Sequence, residues 1–171
     1  KMSGKSDDFM AKVKQYYSTH QKPFGSGAPP FTHQGTPFDD FGHPNFVPEV
    51  PNMAGGHGKI KYRPDDIPNQ PALNGTGTDM NRANTWAKAE FNKNGLNFKE
   101  HPTVSGRFYI KDPASQYADA DGWVECVWHH HQDAKTMLPV PIQTHNRSFP
   151  TGSPHTGGAA ILTKPELQDL I

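Results

Sequence analysis

The stretch Gly122-Trp123-Val124-Glu125-Cys126-Val127-Trp128-His129-His130-His131 decides the fold, because it joins a β-strand to a histidine triplet. Its residues are strong strand formers, and their alternation predicts two faces. One face carries Trp123, Glu125 and Val127, and the other carries Val124, Cys126 and Trp128. The chain has ten histidines, and five of them lie between residues 129 and 155. We therefore expect the chemistry at the end of this strand.

The segments around this strand predict a hairpin between helices. A turn is expected at 132–135, followed by a strand over 136–141 that Pro139 and Pro141 confine to a sheet edge. His145 then falls in a short helix that begins near Pro141. Upstream, the pattern predicts a strand over 106–111 and a helix over 79–93. The buried face of that helix is marked by Met80, Ala83, Ala87 and Phe91.

The N-terminal part differs in composition. Residues 6–20 predict a helix, whereas 22–71 contain ten prolines and seven glycines, which argues against regular ladders. The same stretch holds five phenylalanines, so we read it as an irregular arm whose aromatic rings dock on a partner surface, in cis or in trans. A disordered tether is the alternative. The chain is thus divided into a helix at 1–21, an arm or linker at 22–72 and a domain at 73–171, which ends in a helix capped by residues 163–166.

Bulk properties exclude several classes of protein. At 171 residues and 33% hydrophobic content, the chain suits one small, loop-rich domain with an appendage. No run approaches the roughly 20 apolar residues of a membrane span, and the first thirty residues do not resemble a signal peptide. Export would then rely on another route or on a larger carrier protein. The single cysteine, Cys126, excludes an internal disulfide and argues against a thiolate zinc site.

Charge counts mildly against nucleic-acid binding. The 17 Lys and Arg residues balance the 17 Asp and Glu residues, and a protein that relies on non-specific phosphate contacts is usually basic. Local clustering of basic groups, or a bound divalent cation, would meet this objection. Such a cation and a histidine base are what phosphodiester hydrolysis near neutral pH requires.

The motif carries a family resemblance. Trp128-His129-His130, the segment 136–141, His145 and His155-Thr156-Gly157-Gly158 together resemble the Trp-His-His branch of the HNH/endonuclease VII superfamily. These are nuclease domains at the C-termini of bacterial polymorphic toxins. The segment 77–84 is similar to the one that precedes their core, so the resemblance covers roughly residues 75–162. It implies an α+β fold with a small ββα-metal (His-Me finger) core at about 123–160 and flanking helices.

The resemblance also implies roles for matched residues. His129 would be a metal ligand and His130 the general base, and His145 and His155 would complete the ligation. His131 would orient a neighbour, contact phosphate or face solvent. The ten-residue spacing from His145 to His155 is longer than the family pattern, which resembles one and a half helical turns. Two prolines and a glycine lie between them, so one continuous helix cannot carry both histidines. Either a loop returns His155 to the metal, or His155 has a structural or phosphate-contacting role.

Four further residues are candidates for the site. Arg107 and Arg147 would contact phosphate, with a solvated surface as the alternative for each. Glu125 and Asp133 would ligate the metal or orient a histidine, although an aspartate at the position of Asp133 more often belongs to a turn.

The resemblance implies a metal-dependent endonuclease that hydrolyses DNA. It would be a secreted antibacterial toxin that acts in the cytoplasm of a target cell and is neutralised by a cognate immunity protein. Two alternatives stay open, namely an RNase on the same scaffold and a non-catalytic, histidine-rich metal-binding interaction module. The ion would be Mg²⁺, Zn²⁺ or Ni²⁺, since imidazole ligands favour the last two and phosphodiester chemistry often uses the first.

Overall fold

A four-stranded antiparallel sheet and the helices packed on it form the centre of the protein. The computed structural model describes residues 31–33, 36–38, 45–46, 50, 60–93, 98–131, 133–147, 159 and 162. The elements are β1 (Phe31–His33), β2 (Thr36–Phe38), α1 (Gly77–Lys93), β3 (Phe98–Glu100), β4 (Arg107–Lys111), β5 (Trp123–His130), β6 (Met137–Pro141) and α2 (Ile142–Arg147), with a short 3₁₀ turn at Pro64–Asp66. The mixed α+β class expected from the sequence is confirmed.

The sheet has the strand order β3-β4-β5-β6, and the three longest strands, β4, β5 and β6, follow the predicted segments closely. β5 alternates between half-buried and buried residues from Trp123 to Trp128, as its sequence predicts. It continues through His129 and His130, so two histidines of the triplet are strand residues. β6 lies at the edge and pairs His130 with Met137. The strand β3 was not predicted, because three residues after a helix show too little alternation.

Helix α1 covers one face of this sheet. Its buried positions follow a helical period and include Ala83, Ala87 and Phe91, as predicted. Met80, expected on the same face, is only partly buried, and two polar residues, Asp79 and Asn84, are buried instead. The helix therefore presents hydrogen-bonding groups to the sheet as well as apolar surface.

The core contains a continuous chain of aromatic rings between α1 and the sheet. Neighbouring ring centroids lie 4.7–6.3 Å apart in the order Tyr62, Trp86, Phe91, Phe98, Phe108 and Trp128. Aromatic rings at these separations contribute both buried area and favourable edge and offset contacts. Trp128, the tryptophan of the histidine motif, is the last ring of the chain and is 1% exposed.

The expectation that residues 22–71 form no ladders is wrong for β1 and β2. Strands β1 and β2 pair in antiparallel register, with Pro37 opposite Thr32, and Tyr62 forms a bridge with Met137 on the outer side of β6. Proline has no backbone N–H, and it is tolerated in such short two-stranded pairs at positions whose N–H would point away from the partner strand. Tyr62 has an N–H and uses it on the Met137 carbonyl at 3.0 Å.

The packed core also extends upstream of residue 72. Phe46, Val50 and Tyr62 are fully buried in the same cluster as the sheet residues. The arm therefore docks in cis through at least one of its phenylalanines. The helix expected at 6–20 and the capping residues 163–166 lie outside the described part of the chain. Within that part, no helix is both long enough and apolar enough to cross a bilayer.

Candidate active site

Two of the predicted ligands meet across the junction of β5 and α2. His129 lies near the end of β5, opposite Leu138 of β6, and His145 lies on α2, which follows β6 directly. Their ring centroids are 5.8 Å apart. His129 is 4% exposed, and His145 is half-buried. The hairpin and the short helix thus bring together two imidazoles that are sixteen positions apart in sequence.

Phe46 forms one wall of this histidine pair. Its centroid lies 4.8 Å from that of His129 in an edge-on contact and 5.8 Å from that of His145. The ring is fully buried. Because it contacts both histidines, Phe46 restricts their orientation and the access of water to them. Nothing in the sequence distinguishes Phe46 from the other four phenylalanines of the arm, so this contact was not predicted.

His130 points to the opposite face of the sheet. Its Nε2 lies 2.9 Å from Oδ2 of Asp79, in the first turn of α1, and its side chain is 6% exposed. Adjacent residues of a strand project to opposite faces, which separates His130 from His129. His129 and His130 therefore lie on opposite faces of β5 in the structure.

Asp79 is the most enclosed charged side chain of the site, with no exposed surface. Besides His130, its carboxylate accepts hydrogen bonds from the backbone N–H groups of Asn74 and Gly75, at 3.0 and 2.8 Å from Oδ2. The Arg82 guanidinium lies 3.7 Å from Oδ1. Charged groups are buried at acceptable cost only when paired and hydrogen-bonded, and Asp79 meets both conditions.

A second buried hydrogen bond joins the same two elements. Trp128 Nε1 donates to Asn84 Oδ1 at 2.7 Å. Sequence reasoning missed both Asp79 and Asn84. Helical periodicity could have predicted the burial of Asp79, because it lies four residues before Ala83 and eight before Ala87, on the face expected to be buried.

His131 continues the ladder by one residue beyond β5. Its backbone N–H donates to the Thr136 carbonyl at 2.8 Å. The side chain is half-buried rather than facing solvent, and burial lowers its pKa. The Asp133 carboxylate opposes this shift, while Lys61 and Arg63 reinforce it. The lowered pKa favours the neutral form of His131, which would contact phosphate through a hydrogen bond rather than a positive charge.

Asp133 organises the hairpin turn. Oδ1 accepts from the backbone N–H groups of Lys135 and Thr136, each at 2.9 Å, and Oδ2 accepts from the Thr136 hydroxyl at 2.6 Å. Arg63 Nη1 lies 3.5 Å from Oδ2. Asp133 therefore stabilises the hairpin turn, which was the alternative to a role as metal ligand or as a residue that orients a histidine.

Glu125 and Arg107 lie away from the histidines. They form an ion pair at 3.6 Å, and His101 Nε2 approaches the same Glu125 oxygen at 3.6 Å. Glu125 precedes His129 by four residues on one face of β5, which at about 3.3 Å per residue separates the two Cα atoms by roughly 13 Å. This separation is too long for a direct contact between the two side chains.

Two predicted residues cannot be placed. Arg147 is the last residue of α2, and its side chain is not among those that the structure describes. His155 lies outside the described residues altogether. Among the residues that are described, no group of three or more His, Cys, Asp or Glu side chains is arranged to hold a metal ion. His129 and His145 thus form a pair there, and His131 does not join them.

Comparisons with known proteins bear on residues 118–164. This segment matches the family model WHH, described as a nuclease of the HNH/ENDO VII superfamily with conserved WHH. It contains β5, β6 and α2, and therefore the Trp128-His129-His130 motif and His145. Searches of curated proteins and of solved structures find no match. The histidine pair, the motif and the hairpin-helix unit that carries them place residues 118–164 in the WHH family of HNH/ENDO VII nucleases.

Proposed function

We propose that this nuclease is a metal-dependent endonuclease that hydrolyses DNA phosphodiester bonds. The observation that carries the proposal is the apposition of His129 and His145, with ring centroids 5.8 Å apart, inside the segment that matches the family. In this proposal one ion binds between the two imidazoles, one at the end of a strand and the other on the helix that follows the hairpin. The family assignment supports hydrolysis of a nucleic acid, and DNA is the substrate that we propose.

The chemistry of the two side chains fits a divalent metal. Imidazole nitrogens bind zinc at about 2.0–2.1 Å, so two of them on one tetrahedral ion lie about 3.4 Å apart. Rings whose centroids are 5.8 Å apart reach this separation with their nitrogens directed inward. His129 and His145 would hold the ion, and His155 is proposed as the third protein ligand. Such an ion stabilises the charge that builds on phosphate oxygens during hydrolysis.

His130 is proposed as the general base. In the reaction, a water oxygen forms a bond to phosphorus while the bond from phosphorus to the leaving deoxyribose oxygen breaks. The leaving oxygen takes the electron pair of that bond, and His130 accepts the proton of the attacking water. His129 and His130 are consecutive residues of β5, so one rigid strand carries both the proposed ligand and the proposed base, with their side chains on opposite faces.

A toxin role is proposed from the resemblance of residues 75–162 to domains of bacterial polymorphic toxins. In this proposal the chain belongs to or is carried by a larger secreted protein, acts in the cytoplasm of a target bacterium and is blocked by a cognate immunity protein in the producer. An unregulated nuclease harms its own cell, which is why a dedicated inhibitor accompanies the proposal. Because the net charge of the chain is zero, the attraction of DNA in this proposal comes from local basic groups and from the bound ion.

The nuclease assay compares plasmid DNA and total RNA side by side, with Mg²⁺, Mn²⁺, Ni²⁺ or Zn²⁺ added separately. Wild-type protein should nick the plasmid with at least one ion, and His130→Ala should be inactive. His101→Ala is the matched control, because it removes a histidine that contacts Glu125 outside the site. Degradation of RNA alone would replace the DNase proposal by an RNase. No cleavage with any ion would leave the non-catalytic module as the better description.

The toxin proposal is tested separately in bacteria. Induced cytoplasmic expression of the wild-type chain should stop growth and fragment the chromosome, whereas His130→Ala expressed to the same level should not. A producer genome that encodes an immunity protein should contain a neighbouring gene whose co-expression restores growth. Normal growth with active, soluble wild-type nuclease in the cytoplasm would contradict the toxin role and leave the enzyme assignment intact.

A further inference from the structure

The contact between Asp79 and His130 determines more than the packing of α1 on the sheet. Asp79 Oδ2 and His130 Nε2 are 2.9 Å apart, both side chains are buried, and the residues are 51 positions apart in sequence. Asp79 lies in the first turn of α1, upstream of the segment that matches the nuclease family.

The surroundings of Asp79 fix the direction of this hydrogen bond. Both backbone N–H groups that contact the carboxylate, those of Asn74 and Gly75, are donors, and the third group beside it is the Arg82 guanidinium. An ionised carboxylate accepts hydrogen bonds and donates none. His130 Nε2 must therefore carry the proton that lies between the two side chains.

The direction of the bond assigns the tautomer of His130. In a neutral imidazole, one ring nitrogen carries hydrogen and the other carries a lone pair. With Nε2 protonated towards Asp79, Nδ1 becomes the nitrogen that accepts a proton. The same bond restrains rotation of the ring about its side-chain torsions, so Nδ1 keeps one direction relative to the strand.

We infer that Asp79 is a positioning residue for the reaction, which holds His130 as the Nε2–H tautomer and leaves Nδ1 as the basic nitrogen. The inference rests on the proposed function, because it assumes that His130 accepts the proton of the attacking water. It adds a residue from α1 to a site otherwise built from the hairpin and α2. It also accounts for a fully buried carboxylate that the apolar packing of α1 does not require.

A purely structural role is the competing explanation, and the chain offers a matched control for it. Among the described contacts, Asn84 and Trp128 form a second buried side-chain hydrogen bond between α1 and β5, at 2.7 Å. Asn84 follows Asp79 by five residues on the helix, and Trp128 precedes His130 by two on the strand. Asn84→Leu removes a comparable link between the same elements without touching His130.

The kinetic test compares Asp79→Asn with Asn84→Leu in plasmid cleavage. Asparagine has nearly the shape of aspartate, but its amide oxygen carries no formal charge and so holds the Nε2–H tautomer of His130 less strongly. We expect kcat to fall by about 10²-fold or more in Asp79→Asn, with KM changed less than about threefold because His130 does not bind the substrate ground state. Asn84→Leu should keep kcat within about threefold of wild type.

A spectroscopic measurement separates the inference from the assay. In ¹⁵N-histidine-labelled wild-type protein at neutral pH, the ring ¹⁵N shifts of His130, identified by their loss in His130→Gln, should show a protonated Nε2 and an unprotonated Nδ1. An Nδ1–H tautomer in the wild type would overturn the inference. Because this spectrum needs no change at Asp79, it decides the matter even if Asp79→Asn does not fold.

The outcomes for the inference and for the proposed function differ. A wild-type protein that cleaves, together with an Asp79→Asn variant that cleaves equally fast, would refute the positioning role alone. A wild type that cleaves no nucleic acid with any of the four ions would overturn the proposed function and, with it, the catalytic meaning of the Asp79 contact. Equal loss of kcat in Asn84→Leu would show that the link is structural and would also refute the inference.

Discussion

Trp128 Nε1 donates a 2.7 Å hydrogen bond to Asn84 Oδ1, and both residues are buried between β5 and α1. The tryptophan of the histidine motif is therefore held from two sides. Its ring stacks on Phe108 with a centroid distance of 4.7 Å, and its polar edge is satisfied by the helix. This arrangement anchors β5 on α1, so Trp128 contributes to the stability of the fold without contacting the chemistry of the site.

Replacement of Asn84 by alanine should therefore destabilise the protein. The indole N–H would be left buried without its acceptor, which costs about 1–3 kcal/mol. The free energy of unfolding, measured by urea denaturation at pH 7, should fall by that amount. Thr85→Ala is the control, since Thr85 is the next residue of α1, is exposed and bonds only to the Asn81 carbonyl within its own helix among the described contacts. A loss equal to that of the control would show that the bond to Trp128 contributes nothing.

The pairing of His129 with His145 predicts the effect of single substitutions on metal binding. His145→Ala should weaken Zn²⁺ binding, measured by titration calorimetry at pH 7.5, by about tenfold or more, because one of the protein ligands is removed. Gln143→Ala provides the comparison, since Gln143 is exposed on the same short helix. Unchanged affinity in His145→Ala would mean that the ion binds elsewhere.

The sequence predicted the hairpin and α2 well because their patterns are local. The two-residue alternation of β5, the prolines of β6 and the position of His145 after Pro141 each depend on neighbours within a few residues. The same reasoning predicted the core of α1 from Ala83, Ala87 and Phe91. These segments have an apolar face that only one secondary structure can bury.

The contacts that complete the site are not local, and the sequence did not predict them. Asp79 meets His130 across 51 positions, and Phe46 reaches His129 from a stretch that composition alone describes as an arm. The proline content of residues 22–71 also led to an expectation of no strand pairing there. In the structure β1 pairs with β2, and Tyr62 forms a bridge with Met137. Local propensity sets the backbone preference of a segment, but not the distant surface on which it packs.

The loop before β5 predicts a pH dependence of stability. Asp119 Oδ1 accepts from the Trp123 and Asp121 backbone N–H groups, each at 2.9 Å. Chiefly through the bond from Trp123, these contacts lower the pKa of Asp119 below its usual value near 3.8, against a smaller opposing effect of desolvation. Because the folded pKa is the lower one, the carboxylate stabilises the protein above the unfolded pKa, and this contribution disappears as pH falls through the folded pKa.

Asp119→Asn should accordingly be less stable than wild type at pH 6, with the difference shrinking below about pH 4. Asparagine keeps a carbonyl acceptor, so the comparison isolates the charge. Urea unfolding at several pH values between 2.5 and 7 measures it, with Asp121→Asn as a neighbouring exposed carboxylate. A difference between Asp119→Asn and wild type that stays constant over this range would contradict the assignment.

Gly122, directly before β5, predicts a steric effect on the strand that carries the histidines. Its φ of +84° lies in the left-handed region, and a Cβ built there would approach Pro113 Cγ to 2.9 Å. Gly122→Ala should lower the free energy of unfolding by about 1–3 kcal/mol, since both the backbone conformation and the contact are strained.

Gly77→Ala is the opposite case. Gly77 begins α1, and a Cβ there would meet no atom within 4 Å. That variant should be neutral or up to about 1 kcal/mol more stable, because alanine lowers the entropy of the unfolded chain and favours helix. Urea denaturation of the two variants beside wild type measures both effects. Equal stability of the two alanine variants would show that the loop relaxes around Gly122 and that this glycine does not fix the start of β5.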